Sequence, residues 1–109
     1  MVACAPVSLA QLRYFVAVAE EEHIGRAALR LHVSQPPLTR QIRSLEDELG
    51  TPLFERTPRG MKLLPAGRVF LRHARRVLEE VDAAVDAVRD ATEFSVDDDG
   101  SASSGGVRP

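Results

Sequence analysis

The chain has 109 residues, enough for one domain of ordinary size, and its formal net charge is −2. A single cysteine, Cys4, excludes both an intramolecular disulfide and a cysteine-based zinc site. No apolar stretch approaches the ~18 residues that a membrane span needs, and the amino terminus lacks the basic region of a signal peptide. We therefore expect no membrane partner.

The near-neutral total conceals a strong division of charge along the chain. Residues 26–76 carry eleven Arg and Lys side chains against four acids, a net of +7, whereas residues 77–109 carry a net of −7. A basic block of this size is typical of a surface that binds a polyanion such as nucleic acid, although a solvated basic surface would give the same count.

Two short helices are predicted first. Ser8 and Gln11 have the spacing of a capping box, and the helix they begin should end near Glu22. Its apolar residues fall on one stripe: Leu9, Leu12, Phe15, Val16 and Ala19. A second helix is predicted over Arg26–His32, with Ala27, Ala28 and Leu31 facing inward.

A third helix is predicted over Ser34–Leu49, with Ser34 as N-cap and two prolines in its first turn. Its apolar side is formed by Leu38, Ile42, Leu45 and Leu49, and Gly50 ends it. Its other side carries Pro36, Thr39, Arg40 and Arg43, with Gln35 at the tip. Two short helices joined by a tight turn, the second polar and basic, indicate a helix-turn-helix; a helical hairpin with a solvated outer face is the alternative.

A hairpin follows, with predicted strands at Leu53–Arg56 and Met61–Leu64 around the turn Thr57–Gly60. A hairpin in this position is a wing whose cations, Arg56, Arg59 and Lys62, reach the sugar-phosphate backbone or the minor groove. A purely structural hairpin with ordinary surface charges is the alternative.

A long helix is predicted from Ala66 to about Thr92. Its apolar positions are spaced alternately by four and three residues: Phe70, Ala74, Val77, Val81, Ala84, Val88 and Ala91. This spacing predicts a coiled-coil seam that a partner chain covers. Leu71, Leu78 and Val85 flank the seam. Residues 93–109 are rich in Gly, Ser and Asp and are predicted to be a disordered tail or linker.

The segment Leu12–Thr57 resembles the DNA-binding domain of LysR-type transcriptional regulators, most specifically in SQPPLTRQIRSLEDELGTPLFER, Ser34–Arg56. The resemblance implies a mainly α fold, a winged helix-turn-helix of three helices and a two-stranded β wing followed by a long dimerisation linker helix. It also implies sequence-specific binding of double-stranded DNA by a homodimer on a pseudo-palindromic promoter site, with tetramers in full-length forms. The implied location is the cytoplasm of a bacterium or archaeon, at the nucleoid.

The implied domains are a flexible start at 1–7, the DNA-binding domain at 8–65, the linker helix at 66–92 and the tail at 93–109. The family's effector-binding domain has no counterpart in this sequence, so a small-molecule effector is expected only if a further C-terminal domain exists. The sequence departs from the family at Leu64-Pro65, where a threonine cap is usual, so the first turn of the linker helix is expected either to fray or to rely on Pro65 at the helix start.

Carried onto this chain, the resemblance assigns residues to three roles. The residues expected to contact bases are Gln35, Pro36, Thr39, Arg40 and Arg43. Those expected to contact the DNA backbone, in part through the wing, are Arg26, Arg30, Ser34, Arg56, Arg59 and Lys62. Those expected to form the dimer are Phe70, Ala74, Val77, Val81, Ala84 and Val88.

No residue pattern predicts catalysis, a metal or a cofactor. His23, His32 and His73 are isolated, with no second ligand at helical spacing, and no base lies near Cys4 to activate it. Two alternatives to DNA binding remain: a dimerisation or antagonist module that pairs through the seam without binding DNA productively, and a small enzyme.

Overall fold

A computed structural model describes residues 7–98 and contains four helices and one hairpin. The elements, in chain order, are α1 (Leu9–Glu21), α2 (Ile24–Leu31), α3 (Gln35–Leu49), β1 (Phe54–Thr57), β2 (Gly60–Leu63) and α4 (Pro65–Asp98). One compact unit extends as far as Leu78, and a second begins at Glu79. The order of elements in the first unit is that of the predicted winged helix-turn-helix.

Helix α1 begins at the predicted capping box. The Gln11 backbone N–H donates to the Ser8 hydroxyl oxygen at 3.1 Å, and the Ser8 N–H donates to the Gln11 side-chain oxygen at 3.0 Å. The helix ends at Glu22, which adopts the left-handed conformation at φ 56°. Val7, predicted to belong to a flexible terminus, is instead half-buried against the core; residues 1–6 lie outside the described part.

Helix α2 begins two residues before the predicted start at Arg26. His23 occupies the N-cap position, and its Nδ1 accepts a hydrogen bond from the Arg26 backbone N–H at 3.0 Å. The sequence predicts a later start because histidine is not among the favoured N-cap residues, which are Ser, Thr, Asp and Asn. Ala27 and Ala28 are buried as predicted, and the helix ends at Leu31.

The core of the first unit is built around Phe15, which is fully buried. Its ring lies 5.3 Å from that of Phe54 and 5.1 Å from that of Phe70, measured between centroids. These contacts join α1 to β1 and to the start of α4, and the tilted and edge-to-face arrangements are those that aromatic pairs favour. The three phenylalanines therefore fix the hairpin and α4 on the helix-turn-helix.

Both strands of the hairpin lie one residue closer to the turn than the predicted strands. Antiparallel pairing joins Phe54 to Leu63 and Thr57 to Gly60, so the turn consists of Pro58 and Arg59 alone. The Met61 backbone N–H donates to the Glu22 carbonyl oxygen at 3.0 Å, which fastens β2 to the end of α1. Gly60, at φ 146°, allows this approach, because a Cβ there would lie 2.3 Å from that same oxygen.

Helix α4 begins at Pro65, one residue before the predicted start at Ala66, so the proline occupies the first helical position where one of the two alternatives placed it. Its predicted end near Thr92 is wrong, because the helix continues to Asp98. Between Gly67 and Gly100 the sequence contains no Pro or Gly to stop the helix. The rest of the predicted disordered tail, residues 99–109, lies outside the described part of the chain.

Candidate nucleic-acid interface

The amino end of α3 is formed by Ser34 and two prolines. Ser34 is the N-cap residue as predicted, yet its hydroxyl makes no capping hydrogen bond. A capping oxygen accepts from the backbone N–H of the second or third helical residue, and here those residues are Pro36 and Pro37, which have none. The exposed Ser34 hydroxyl is therefore left available to another molecule.

The two sides of α3 separate as the sequence predicts. Leu38, Ile42 and Leu45 are buried in the core. The residues expected to contact bases are exposed, apart from the half-buried Thr39: Gln35, Pro36, Thr39, Arg40 and Arg43. From Gln35 to Arg43 the helix contains no acidic residue. This half of α3 therefore presents a polar surface that carries only positive charge.

The hairpin and α3 border a common groove. A small cavity of about 60 Å³ is lined by Thr39 and Arg43 of α3 together with Arg56 of β1. A larger open cleft of about 250 Å³, called the wing cleft below, lies between the amino ends of α2 and α3 and the hairpin. Its lining includes His23, Gly25, Gln35, Arg56 and Arg59. The predicted base-contacting residues of α3 and the predicted backbone-contacting arginines of the wing thus line the same cavities.

The arginines of the basic block fall into two groups. All four ion pairs among the described residues involve Arg26, Arg30 or Arg75, which face carboxylates at the end of α1. Arg30 and Arg75 both approach Glu20 at 2.8 Å. None of these pairs engages the cations of α3 and the wing, namely Arg40, Arg43, Arg56, Arg59 and Lys62.

The ion pairs with Arg75 and Arg30 lower the pKa of Glu20. The Arg75 guanidinium, hydrogen-bonded to the carboxyl, lowers the pKa of Glu20 against the opposing effect of partial burial, and Arg30 lowers it further. Arg26 also donates to the Glu21 carbonyl oxygen at 2.8 Å. The structure thus places Arg26 and Arg30, both expected to contact the DNA backbone, in contacts that hold α2 against α1.

The predicted dimer seam divides in two. Phe70 packs against Phe15, and Ala74 is only 1% exposed, so the first two seam residues belong to the chain's own core. Phe70 and Ala74 were predicted to face a partner chain, and this is corrected: the first turns of α4 pack on the chain's own core instead. The predicted seam therefore starts one heptad too early in the sequence. Of the remaining seam residues, Val77, Ala84 and Val88 are exposed and Val81 is half-buried.

The part of the chain that the structure describes holds neither a metal-binding cluster nor a membrane-spanning helix. No group of three or more His, Cys, Asp or Glu side chains in residues 7–98 could hold a metal ion. Within the same part of the chain, no helix is long and apolar enough to cross a membrane.

A helix-turn-helix followed by a two-stranded wing and a long helix defines the chain as a winged helix-turn-helix protein of the regulatory type. The family profile described as "Bacterial regulatory helix-turn-helix protein, lysR family" matches residues 9–68. The chain therefore belongs to the lysR family of bacterial regulatory helix-turn-helix proteins.

Its relatives are transcriptional regulators rather than enzymes. The chain is 60% identical over 82 residues to the HTH-type transcriptional regulator TfdS of Cupriavidus pinatubonensis (strain JMP 134 / LMG 1197), an overlap that covers 75% of this chain and 28% of TfdS. It thus spans under a third of that relative's length.

Solved structures of the same family have the same fold. The CbnR_DBD–DNA complex matches with a TM-score of 0.74 and 50% identity, over 78% of this chain and 98% of that one. The BenM_DBD/catB site 1 DNA complex matches with a TM-score of 0.76 and 45% identity, over 78% and 96% of the two chains.

Proposed function

We propose that this chain binds double-stranded DNA sequence-specifically, as a homodimer on a pseudo-palindromic promoter site, and serves as the DNA-binding part of a transcriptional regulator. The observation that carries the proposal is the exposed first half of α3, which has no acid between Gln35 and Arg43 and lies beside the cationic hairpin. A helix of this kind fits the major groove.

In this proposal α3 reads the bases. Gln35, Pro36 and Thr39 face base edges or thymine methyl groups, and Arg40 and Arg43 face guanine or phosphate. The Ser34 hydroxyl, which no backbone N–H of α3 uses, donates to a phosphate. Arg56, Arg59 and Lys62 neutralise the backbone beside the groove. Arg26 and Arg30 contribute less, since contact with DNA would compete with their carboxylate partners.

The relatives support this choice of ligand. The CbnR and BenM structures described above are complexes of DNA-binding domains with DNA, and both match over more than nine-tenths of their own length. The chain also covers 28% of full-length CbnR, which was solved in complex with its target DNA.

We further propose that two chains pair through the exposed apolar residues of α4: Val77, Val81, Ala84 and Val88. The charge order along α4 favours an antiparallel pair. Its first turns carry Arg68, Arg72, Arg75 and Arg76, whereas Glu79, Glu80, Asp82, Asp86 and Asp90 follow. Antiparallel helices place each basic segment near the partner's acidic one, and a parallel pair would place like charges together.

The wider setting is part of the same proposal. The dimer acts in the cytoplasm at the nucleoid of a bacterium or archaeon, and a longer form of the protein assembles as a tetramer. A small-molecule effector belongs to the proposal only if a further C-terminal domain exists. No cofactor is needed for DNA binding.

A salt titration of binding to a palindromic duplex tests the proposal. Each neutralised phosphate lowers log K with a slope of about −0.9 against log salt, so several phosphate contacts give a steep line. A chain that dimerises but shows no steep salt dependence, and no preference for any duplex, would be a dimerisation or antagonist module instead.

A further inference from the structure

The imidazole of His23 is held in a defined orientation at the edge of the wing cleft. Its Nδ1 accepts the hydrogen bond from the Arg26 backbone N–H at 3.0 Å. A ring nitrogen that accepts carries no proton, so the proton of the neutral imidazole is on Nε2. The side chain therefore offers one N–H donor that the capping bond does not use.

Gly25 provides the space in which this ring lies. A Cβ at position 25 would lie 2.8 Å from His23 Cε1, which is closer than real Cβ atoms approach other atoms, and 3.2 Å from Nδ1, which is tighter than most Cβ contacts. The same Cβ would lie 3.3 Å from Nε2 of Gln35. The imidazole and the Gln35 amide thus both lie next to Gly25, at the amino ends of α2 and α3.

The charges around the wing cleft indicate what occupies it. Arg56 and Arg59 line the cleft from the hairpin, no acidic side chain is among its lining residues, and neither arginine is in an ion pair of the described chain. An open cleft with two cations and neutral donors on opposite walls fits an anionic oxygen group. The nearest polyanion in the proposed complex is the DNA backbone.

We propose that the wing cleft holds a DNA phosphate and that His23 is a further contact residue, donating its Nε2–H to that phosphate, with Gly25 as the positioning residue that makes room for the ring. The inference rests on the proposed DNA binding. It adds an imidazole donor to the backbone contacts that the sequence assigns to Ser34 and to five cationic residues, and it gives a function to a histidine for which the sequence predicts none.

The variant His23→Asn tests the contact. Asparagine is a favoured N-cap residue, so α2 stays capped and the thermal midpoint stays close to that of the parent chain. Its shorter side chain removes the Nε2 donor. We expect binding to weaken about tenfold on specific and random duplexes alike, as for one lost hydrogen bond to a charged group. The slope of log K against log salt should not change, because a neutral donor releases no counterion.

The variant Gly25→Ala tests the positioning role. The added methyl group displaces the imidazole, so Gly25→Ala should weaken binding about as much as His23→Asn does. In the double variant His23→Asn/Gly25→Ala the ring is already gone, so the added methyl group should weaken binding much less than it does in the parent chain, and only through Gln35. The new methyl group would lie 3.3 Å from Gln35 Nε2 whether residue 23 is His or Asn. The difference between the effects of Gly25→Ala in the parent chain and in His23→Asn therefore measures the displacement of the imidazole alone.

The outcomes separate this inference from the proposed function. If the parent chain itself shows no salt-dependent DNA binding, the proposed function fails. If the parent chain binds and His23→Asn binds equally well, or loses affinity only for one base pair of the site, the phosphate contact is wrong. Additive losses in the double variant would overturn the role of Gly25.

Discussion

The carboxylate of Glu46 accepts a hydrogen bond from the backbone N–H of Leu53 at 2.7 Å, across the loop between α3 and the hairpin. The same oxygen accepts from the Phe54 N–H at 3.2 Å. A residue in the last turns of α3 thus fixes the first residues of the wing. Because both elements are proposed to contact DNA, Glu46 sets the spacing between them.

Removing this acceptor should destabilise the fold. Glu46→Ala leaves two backbone N–H groups without their charged partner, and we expect the free energy of unfolding to fall by about 2 kcal/mol in urea denaturation. Glu46→Gln keeps an acceptor oxygen and should lose less. Glu48→Ala, an exposed acid on the same helix, is the matched control and should change stability little. Equal losses at positions 46 and 48 would contradict the assigned role.

Thr39 tests the reading of bases by α3. Its half-buried side chain borders the cavity shared with Arg43 and Arg56. Thr39→Ala should cost ~1–3 kcal/mol of discrimination at one base position, measured by competition between duplexes that differ at single positions. An equal loss of affinity on random DNA would show that Thr39 supports the fold rather than the specificity.

A substitution at Arg59 tests whether the wing contacts the DNA backbone. It lies in the two-residue turn, and no carboxylate of the described chain pairs with it. As a backbone contact, Arg59→Ala should weaken binding to all sequences alike and reduce the magnitude of the salt slope by about one. Arg30→Ala is the contrasting variant, because Arg30 is engaged by Glu20, and its slope should stay near that of the parent chain. The reverse pattern would show that the ion pairs open when DNA binds.

The sequence predicted the helix-turn-helix and the wing because each depends on local signals. The Ser8–Gln11 capping box, the apolar side of α3 and the proline and glycine of the predicted turn Thr57–Gly60 all lie within a few residues of the structure they specify. Glu46 could not be found in this way, since its partners are backbone groups seven and eight residues further along. A charged residue near a helix end looks the same in sequence whether it faces water or caps a loop.

The errors have the same origin. The heptad spacing of α4 predicts an apolar seam, but spacing alone does not say whether Phe70 meets a partner chain or Phe15 of its own chain. His23 was missed as a cap because imidazole is an uncommon capping group. The sequence also does not reveal that Arg26 and Arg30 pair with carboxylates of α1, because that pairing is visible only in three dimensions.

Val81 tests the proposed dimer surface. Val81→Asp places a charge on the apolar side of α4 and should leave the chain monomeric in analytical ultracentrifugation. Ala83→Asp adds the same charge at an exposed position outside the seam spacing and should leave the chain dimeric. A dimeric Val81→Asp chain would show that the seam lies elsewhere.

The Glu20 ion pairs predict a pH dependence of stability. Arg75 and Arg30 lower the pKa of Glu20 from 4.5, so the folded state favours the ionised carboxyl more than the unfolded state does. This stabilisation is present above the unfolded value and is lost as pH falls below it. The parent chain should therefore be more stable than Glu20→Gln at pH 7, by a small margin because the pair is solvent-screened. The difference should shrink in denaturation experiments below about pH 4.5. A difference that does not change with pH would contradict the ion-pair assignment.

Selection of duplexes from a random pool by the parent chain tests sequence-specific binding most directly. The account predicts that the enriched sequences contain two inverted half-sites whose centres lie about one helical turn, or a multiple of one, apart, as two α3 helices of a dimer require. Binding of the pool without enrichment of any sequence would contradict the account.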